Sequence, residues 1–447
     1  MKRRTFLEQT GAACFAAALA PLAAAVPQAP ADVRLEIAAL ALEIAPGKIV
    51  HTVAYNGRVP GPLIRWPEGK AIDIDVLNRS DVPEIVHWHG MMIPSRMDGS
   101  MEEGSPMISP GAQLRYSFTP RPSGLRWYHT HTVAGHDLKR AGYTGQFGCF
   151  YVEPASEPGA YDQEFFLTLH DWNAYMAASG DSSMEASYNY ATIDGRMLGF
   201  GDPLKVREGQ RVLFRILNAS ASLAHWIALA GHEMTVVAMD GNAVPTPARV
   251  RAVRLGPAER VDVLVTMNQP GVWILGETRD SFRKIGMGIV VEYANQEGEP
   301  RWLEPAETVW DYAPFANTQP ALRQPDQAIA LRFESKFHGQ GAFDSWMING
   351  RSFPDTDTII LRENLRYRLA MTNHSSDDHP MHLHRHTFEV TSIAGKRFSG
   401  LHKDVVMVPG NSTAEIDLVA NNPGATLFHC HNQTHMDFGF MMLFKYA

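Results

Sequence analysis

The chain has 447 residues, of which 45% are hydrophobic and 20% are charged. At roughly 100–200 residues per domain, this length predicts about two to four domains of a folded globular protein. A formal net charge of −8, without a basic surface patch evident in the sequence, argues against a nucleic-acid-binding protein. Three cysteines are too few for a disulfide framework, whereas 36 glycines and 29 prolines favour a turn-rich all-β fold.

The N-terminus carries the pattern of an export signal. Basic residues that include Arg3 and Arg4 precede an alanine-rich apolar run from Gly11 to Ala25. The run is too short to span a bilayer, and the arginine pair resembles a twin-arginine signal. We therefore expect residues 1–31 to direct export through the twin-arginine machinery, to the periplasm or the exterior, with no stable membrane span in the mature chain. An uncleaved N-terminal anchor is the alternative.

One pattern occurs three times along the remaining chain. It consists of an Asn-Gly-Arg or Asp-Gly-Arg turn, a proline, a second turn and an Asn-x-Ser sequence. The three copies run from Asn56 to Ser80, from Asp194 to Ser220 and from Asn349 to Ser375. This period is too long for a solenoid, and strictly alternating stretches such as 71–76 are typical of half-buried strands. The sequence predicts three homologous β-sandwich domains, at residues 32–155, 156–296 and 297–447.

Ten of the 19 histidines lie in four short groups. The groups are His87-Trp88-His89, His129-Thr130-His131, His379-Pro380-Met381-His382-Leu383-His384, and His429-Cys430-His431 followed by His435. Alternate residues of a strand share a face, so each His-x-His pair directs both imidazoles to one side. Because neutral imidazole is the commonest metal ligand, four such groups predict metal centres rather than structural histidines.

The fourth group predicts two adjacent sites. On an extended segment Cys430 points away from His429 and His431, so one short peptide serves a metal on each face. Cys430, His435 and one distant histidine form a His₂Cys set, which is the composition of a blue-copper electron-transfer site. Zinc is the competing metal, but eight further histidines exceed what one tetrahedral zinc needs.

These motifs resemble the multicopper oxidase family, in its three-domain laccase-like branch, over nearly the whole mature chain. The resemblance implies an all-β chain of three cupredoxin-like Greek-key β-sandwich domains, with a metal-free middle domain. It also implies four copper ions, three of them in a cluster between the first and third domains. The implied ligands are His379, Cys430 and His435 for type 1 copper; His87 and His382 for type 2; His89, His129 and His431 for one type 3 copper; and His131, His384 and His429 for the other.

Ten residues beyond the cysteine, where bacterial members commonly have an axial methionine, this chain has Phe440. A phenyl ring cannot coordinate, and loss of a weak axial thioether is expected to raise the potential of the copper. The alternative is that Met441 or Met442 shifts into the axial place, since methionine side chains are adaptable.

Proton supply is the second departure. Reduction of O₂ consumes protons, and Asp98 stands where the family has an acid near the cluster. Asp98 could instead cap its own Asp-Gly turn. Many bacterial members carry a glutamate directly after the last type 1 histidine, where this chain has Met436. Either the neighbouring Asp437 substitutes, or proton delivery relies on Asp98.

Two weaker features complete the candidate sites. Five methionines, at positions 91, 92, 97, 101 and 107, crowd one segment that either binds Cu(I) or fills core gaps. Asp404 matches a family acid near the type 1 edge, where it would bind substrate or brace a turn.

The function expected from the sequence is a copper-dependent oxidase of the laccase type. Its donors would be phenols or aromatic amines, its acceptor O₂, and its state a monomer. A metallo-oxidase for Cu(I), Fe(II) or Mn(II) with a role in copper tolerance is the first alternative. A non-enzymatic periplasmic cupredoxin protein is a less favoured one, because the ligand set is intact, and a two-domain nitrite reductase would not need three repeats.

Overall fold

The computed structural model describes residues 29–156, 160–177, 185–306, 309–319, 321, 323–339 and 342–447. The twin-arginine pair Arg3-Arg4 and the cleavage region near Ala25 lie outside the described residues. Among the helices that are described, none has the length and apolar character needed to cross a bilayer.

The N-terminal domain is a sandwich of two four-stranded sheets. Its strands are β1 (Val33–Ala45), β2 (Lys48–Tyr55), β3 (Ile64–Pro67), β4 (Ile72–Asn78), β5 (Val86–His89), β6 (Gln113–Phe118), β7 (Gly124–Thr130) and β8 (Phe147–Glu153). The strand orders are β2-β1-β4-β6 and β3-β8-β7-β5. Short 3₁₀ helices lie at Ser95–Met97, Met101–Glu103 and Ala141–Tyr143.

The middle domain pairs a six-stranded sheet with a five-stranded one. Its strands are β9 (Gln163–Ala177), β10 (Glu185–Ile193), β11 (Leu204–Val206), β12 (Arg211–Asn218), β13 (His225–Leu229), β14 (Met234–Met239), β15 (Asn242–Val250), β16 (Val253–Leu255), β17 (Arg260–Thr266), β18 (Val272–Glu277) and β19 (Gly288–Tyr293), with the short helix α1 (Asp280–Lys284). The orders are β10-β9-β12-β17-β14-β15 and β11-β19-β18-β13-β16.

The C-terminal domain repeats the six-plus-five arrangement. A 3₁₀ helix (Ala313–Phe315) precedes β20 (Gln327–Lys336), β21 (Ser345–Ile348), β22 (Ile359–Leu361), β23 (Arg366–Asn373), β24 (His379–Leu383), β25 (Phe388–Ile393), β26 (Lys396–Lys403), β27 (Val405–Val408), β28 (Thr413–Val419), β29 (Thr426–Cys430), α2 (Gln433–Asp437) and β30 (Met441–Tyr446). The orders are β21-β20-β23-β28-β25-β26 and β22-β30-β29-β24-β27. The predicted all-β fold of three cupredoxin-like sandwiches is confirmed. The predicted domain boundary at residue 296 stays a prediction. Arg301, which lies beyond it, donates a backbone hydrogen bond to Val272 of the middle domain.

The repeated motif has the same structural task in each domain. The Asn of the first Asn-x-Ser sequence, Asn78, donates from Nδ2 to the carbonyls of Val82 and Ile108 at 2.7 and 2.8 Å, while its Oδ1 accepts from the backbone N–H of Ser80. Asn218 and Asn373 make the equivalent bonds in the other domains. A single buried amide thus satisfies three backbone groups of two loops, which explains why the spacing recurs.

A fully buried ionic network joins the three domains. The Asp404 carboxylate of the C-terminal domain accepts two hydrogen bonds of 2.6 Å from Arg260 of the middle domain and one of 3.3 Å from Arg126 of the N-terminal domain. The neighbouring Lys403 lies 3.0 Å from Asp240 of the middle domain. The Asp240 carboxylate also accepts from the backbone N–H of Arg260 at 2.9 Å. These contacts fix the relative positions of the two domains that carry the histidine groups.

Replacing Arg260 by leucine is expected to lower the free energy of unfolding of the metal-free protein by roughly 3–5 kcal/mol, because it leaves a buried carboxylate without its bidentate partner. Differential scanning calorimetry measures the loss. The control is Arg251→Leu, which removes a 58% exposed side chain 3.7 Å from Glu233 and should change stability by less than about 0.5 kcal/mol. Equal effects of the two substitutions would contradict this role of the network.

Candidate metal centre

Two pairs of neighbouring strands carry the four histidine groups. In the N-terminal domain β5 pairs with β7, so that His87 lies opposite His129. In the C-terminal domain β24 pairs with β29, so that His382 lies opposite His429. His89 is the last residue of β5, whereas His131, His384 and His431 follow directly after the other three strands. The two strand pairs face each other across the interface between the domains.

Eight histidines converge at that interface, and we refer to them as the eight-histidine cluster. They are His87, His89, His129, His131, His382, His384, His429 and His431. The imidazoles of His87 and His384 stack at 3.9 Å between ring centroids, and those of His89 and His382 at 3.7 Å. Burial lowers the pKa of every one of these imidazoles, that of His131 to about 4. The rings are therefore neutral at pH 7, which is the form that binds metals.

The inward-facing nitrogens of the cluster lack the partners that buried polar atoms normally have. Five of them are buried without a hydrogen-bond partner: Nε2 of His87, His129, His382 and His431, and Nδ1 of His89. The other three histidines direct Nε2 atoms at one another, with 3.0 Å between His384 and His429 and 3.4 Å between His131 and His429. Converging unpaired imidazole nitrogens fit metal ions, and this donor set suits copper.

The grouping within the cluster is partly resolved. His131, His384 and His429 place one ligand atom each within 4.8 Å of one another, the same three that the resemblance implies for one type 3 copper. His87, His89 and His129 form a second such group, and His87, His382 and His384 a third. The imidazole of His431 lies 5.1 Å from that of His129 between centroids. The division of the cluster into type 2 and type 3 ligands stays a prediction.

Carboxylates behind the cluster hold the imidazoles in place. Asp98 Oδ2 lies 2.8 Å from His384 Nδ1 and 3.1 Å from His87 Nδ1. Burial alone would raise the pKa of Asp98, but the two imidazoles hold it well below its usual range. Glu103 lies behind Asp98 with its Oε2 3.5 Å from His384 Nδ1, and its Oε1 accepts from the backbone N–H of Leu427. Asp98 thus contacts two candidate ligands from different domains.

Asp404 lies beside the eight-histidine cluster, not at the type 1 edge where the family comparison placed it. Its Oδ1 is 3.1 Å from His89 Nε2, and its backbone carbonyl accepts from His382 Nδ1 at 2.7 Å. The expected position at the type 1 edge is wrong because Asp404 lies between β26 and β27 at the junction of all three domains, a position that no local sequence pattern reveals. The contact explains why His89 alone presents an unpaired Nδ1 to the cluster.

Cys430 and two histidines form a separate buried group, which we call the Cys430 site. The Cys430 sulfur lies 3.9 Å from His379 Nδ1 and 3.6 Å from His435 Nδ1. The opposite ring nitrogens are held by Ser375 Oγ at 2.7 Å and Asn432 Nδ2 at 3.2 Å. Both Nδ1 atoms therefore face the sulfur. Because Cys430 stands between His429 and His431, the chain links this site covalently to the eight-histidine cluster.

Phe440 borders the Cys430 site. Its fully buried ring lies 4.8 Å from the His379 ring between centroids and stacks on Trp346 at 5.7 Å. Met441 instead packs with Leu427 in a separate apolar cluster, and Met442 belongs to the core of the domain. Phe440 itself thus packs beside the ligand histidine.

The remaining candidates have diverse positions. Asp437 accepts from the backbone N–H groups of Ala134 and Gly135 at 2.9 and 2.8 Å, so it braces a loop of the N-terminal domain. Burial raises the pKa of Asp437 to about 6.

The five methionines do not line one surface: Met91 is in the core, whereas Met101 is half exposed in a surface cleft.

A pocket of about 150 Å³ opens beside His435, between the middle and C-terminal domains. Its wall includes Asp377, Asp378, Met407 and Arg254. Asp378 pairs with Arg254 at 2.5 Å, and Asp377 is half-buried in the same wall. The pocket combines apolar and acidic side chains next to the Cys430 site.

Family models for multicopper oxidases match residues 38–157, 163–288 and 319–447. The multicopper oxidase MmcO of Mycobacterium tuberculosis is 32% identical over 429 residues, which cover 87% of this chain and 82% of that protein. A laccase of Trametes maxima is 25% identical over 460 residues, covering 88% and 89%. A crystal structure of a multi-copper oxidase from Pseudomonas thermotolerans matches with a TM-score of 0.74 at 25% identity, covering 94% of this chain and 100% of the other.

The geometry and the comparisons agree. Ten histidines and one cysteine of the first and third cupredoxin-like domains form two adjoining groups that could hold metal ions. The chain belongs to the multicopper oxidase family and is a copper-dependent oxidoreductase.

Proposed function

We propose that the protein is a laccase-like oxidase of phenols or aromatic amines. The observation that supports this proposal is the pocket beside His435, whose apolar and acidic wall offers a binding place for a small organic donor next to the Cys430 site. Bound copper would supply the redox chemistry: one-electron oxidation of the donor at the Cys430 site, four times, coupled to reduction of O₂ to water at the eight-histidine cluster. Twin-arginine export and a monomeric state belong to the same proposal.

The chain's own residues contribute position and environment. Ser375 and Asn432 hold the two histidines of the Cys430 site with Nδ1 toward the sulfur. Asp98 and Asp404 orient cluster histidines in the same way from behind. We propose that Asp98, which its imidazole partners keep ionised, also delivers protons by accepting each one and passing it on to the cluster. The buried surroundings of both sites strengthen these electrostatic contacts.

Oxygen uptake by the copper-loaded protein with a methoxyphenol tests the function. Cys430→Ser should reduce kcat at least about 100-fold, because the hydroxyl is a poor copper ligand and electrons then have no site to enter. Copper analysis should show the loss of one ion with the three in the cluster retained. Cys149→Ser, at a buried thiol in β8, is the control and should keep both activity and copper. Retained activity in Cys430→Ser would contradict the proposal.

A second candidate function is supported by the same pocket. Two carboxylates and the thioether of Met407 in one wall are ligands that suit metal cations, Cu(I) among them. The comparison of kcat/KM for Cu(I) and for the methoxyphenol, under matched conditions, separates the two functions. A strong preference for Cu(I) would identify a metallo-oxidase.

Asp377→Asn is expected to lower kcat/KM for a cationic aromatic amine by roughly tenfold, the effect of losing about 1.4 kcal/mol of charge-assisted hydrogen bonding. A neutral methoxyphenol should be affected less. Steady-state oxygen uptake with both donors measures the ratio. Asp355→Asn, on the exposed surface outside the pocket, is the control. An equal loss with both donors would place Asp377 in a general structural role.

Phe440→Met is expected to lower the reduction potential of the copper at the Cys430 site, because a thioether within reach stabilises the oxidised ion. A redox titration that follows the copper–thiolate absorption measures the shift. Phe444→Met, in the buried core of β30 against Phe428, is the matched control and should leave the potential unchanged. No difference between the two variants would mean that residue 440 does not set the potential.

A further inference from the structure

A small buried cavity adjoins the eight-histidine cluster. Its volume is about 30 Å³, and its wall includes His129, His131, His429 and His431. A space of this size accommodates one or two molecules as small as water. Met436, which replaces the glutamate of many bacterial relatives, also lines it and has no proton to give.

A surface cleft of about 480 Å³ lies on the other side of one wall of this cavity. Glu84, Met101 and Val133 line the cleft. Thr144 and Gln146 line both the cleft and the cavity. The two spaces are therefore separated, at that point, by single side chains.

Glu84 connects the two spaces through one hydrogen bond. Its side chain is 3% exposed, and its Oε2 accepts from Thr130 Oγ1 at 3.1 Å. Thr130, the last residue of β7, is also among the residues that line the cavity, next to the candidate ligands His129 and His131. The buried side chain of Gln146 also interacts with the Glu84 carboxyl. Packing alone does not explain these polar side chains, because apolar side chains of the same shape would fill the wall at a lower desolvation cost.

We propose that Glu84 and Thr130 form a proton path from the surface cleft to the cavity beside the eight-histidine cluster. Each O₂ reduced to two water molecules takes four electrons, which arrive from the donor through the Cys430 site, and four protons from bulk water. When Glu84 is protonated this hydrogen bond reverses, so that the carboxyl donates to the Thr130 hydroxyl. The hydroxyl takes up the proton of Glu84 and releases its own into the cavity, and Glu84 is reprotonated from the cleft. The inference rests on the proposed reduction of O₂ at the cluster.

The surroundings of Glu84 favour a carboxyl group that holds a proton. Burial raises the pKa of Glu84, and the charge of Asp81 adds to this, whereas Arg140 and the hydrogen bonds to the carboxyl oppose it. The buried Tyr55 hydroxyl also faces Glu84. Asp137 and Lys139 line the cleft farther out. Proton supply should therefore weaken as the pH rises through the pKa of Glu84.

The experiment uses the copper-loaded protein and four variants: Glu84→Gln, Glu84→Asp, Thr130→Val and Thr130→Ser. Reoxidation of the fully reduced protein by O₂ should slow about 100-fold or more in Glu84→Gln and in Thr130→Val, as for loss of an acid catalyst. Glu84→Asp and Thr130→Ser keep the carboxyl and hydroxyl groups and should restore most of the rate. Copper content and the anaerobic reduction of the Cys430 site by the donor should be unchanged in all four.

The metal-free protein gives a second readout. A raised pKa in the folded state stabilises the protein below the pKa of the unfolded glutamate, about 4.3, and this stability is lost as the pH rises through the folded value. The melting temperature of the wild type should therefore fall relative to that of Glu84→Gln over this range. A difference that does not change with pH would overturn the proposal.

Two further results would also overturn the proton path. One is reoxidation of Glu84→Gln within twofold of the wild-type rate. The other is a loss of activity that follows a loss of copper, which would assign Glu84 to assembly of the cluster. Failure of the proposed function looks different, because the wild-type protein itself would then accept no electrons from any donor under anaerobic conditions.

Discussion

The Asp404 carboxylate is the point at which the three domains meet. Arg260 and Arg126 reach it from the other two domains, and its remaining capacity holds His89 in the eight-histidine cluster. Burying a carboxylate without a charged partner costs several kcal/mol of desolvation free energy. The ionised Asp404 is therefore stable in this position only when all three domains are docked. The part of the middle domain that the structure describes contributes no histidine to the cluster, yet through Arg260 and Asp404 it influences how His89 of the first domain is oriented. The same contacts of Asp404 therefore determine both the docking of the domains and the geometry of the cluster.

The cluster itself is a costly structure to hold without a metal. Neutral imidazoles bring unpaired nitrogens together in a buried interface, and each such atom lacks the hydrogen bonds that it would make in water. The ionic network and the apolar cores of the domains offset this free-energy cost before any metal binds. A bound cation then converts the unpaired nitrogens into ligands, so metal binding should stabilise the contact between the first and third domains in particular.

The sequence was informative wherever the signal was local. The Asn-x-Ser repeat, the alternating strands and the His-x-His spacing are short-range patterns, and they predicted three sandwiches and the two buried groups. Contacts between residues that are far apart in the sequence could not be predicted. Arg260 and Arg126 are ordinary charged residues in strand sequences, and nothing in their neighbours indicates that both point at Asp404. Asp404 was assigned to the wrong site for the same reason. Glu84 lies three residues before a ligand group, but its importance depends on Thr130 and on two spaces that only the folded chain forms.

In the proposed chemistry, electrons from the donor and protons from solvent reach the cluster from different sides. The donor pocket lies beside His435, on the side of the Cys430 site that faces the middle domain. Electrons reach the cluster along the peptide from Cys430 to its flanking histidines. The cavity and the cleft at Glu84 open on a different side, next to His129 and His131. In the proposed routes the electrons pass through the Cys430 peptide, whereas the protons pass through the Glu84 carboxyl and the Thr130 hydroxyl, so the two reach one cluster by different routes. In the proposed route protons enter at the polar wall beside Thr130, because Met436 stands where many relatives have an acid.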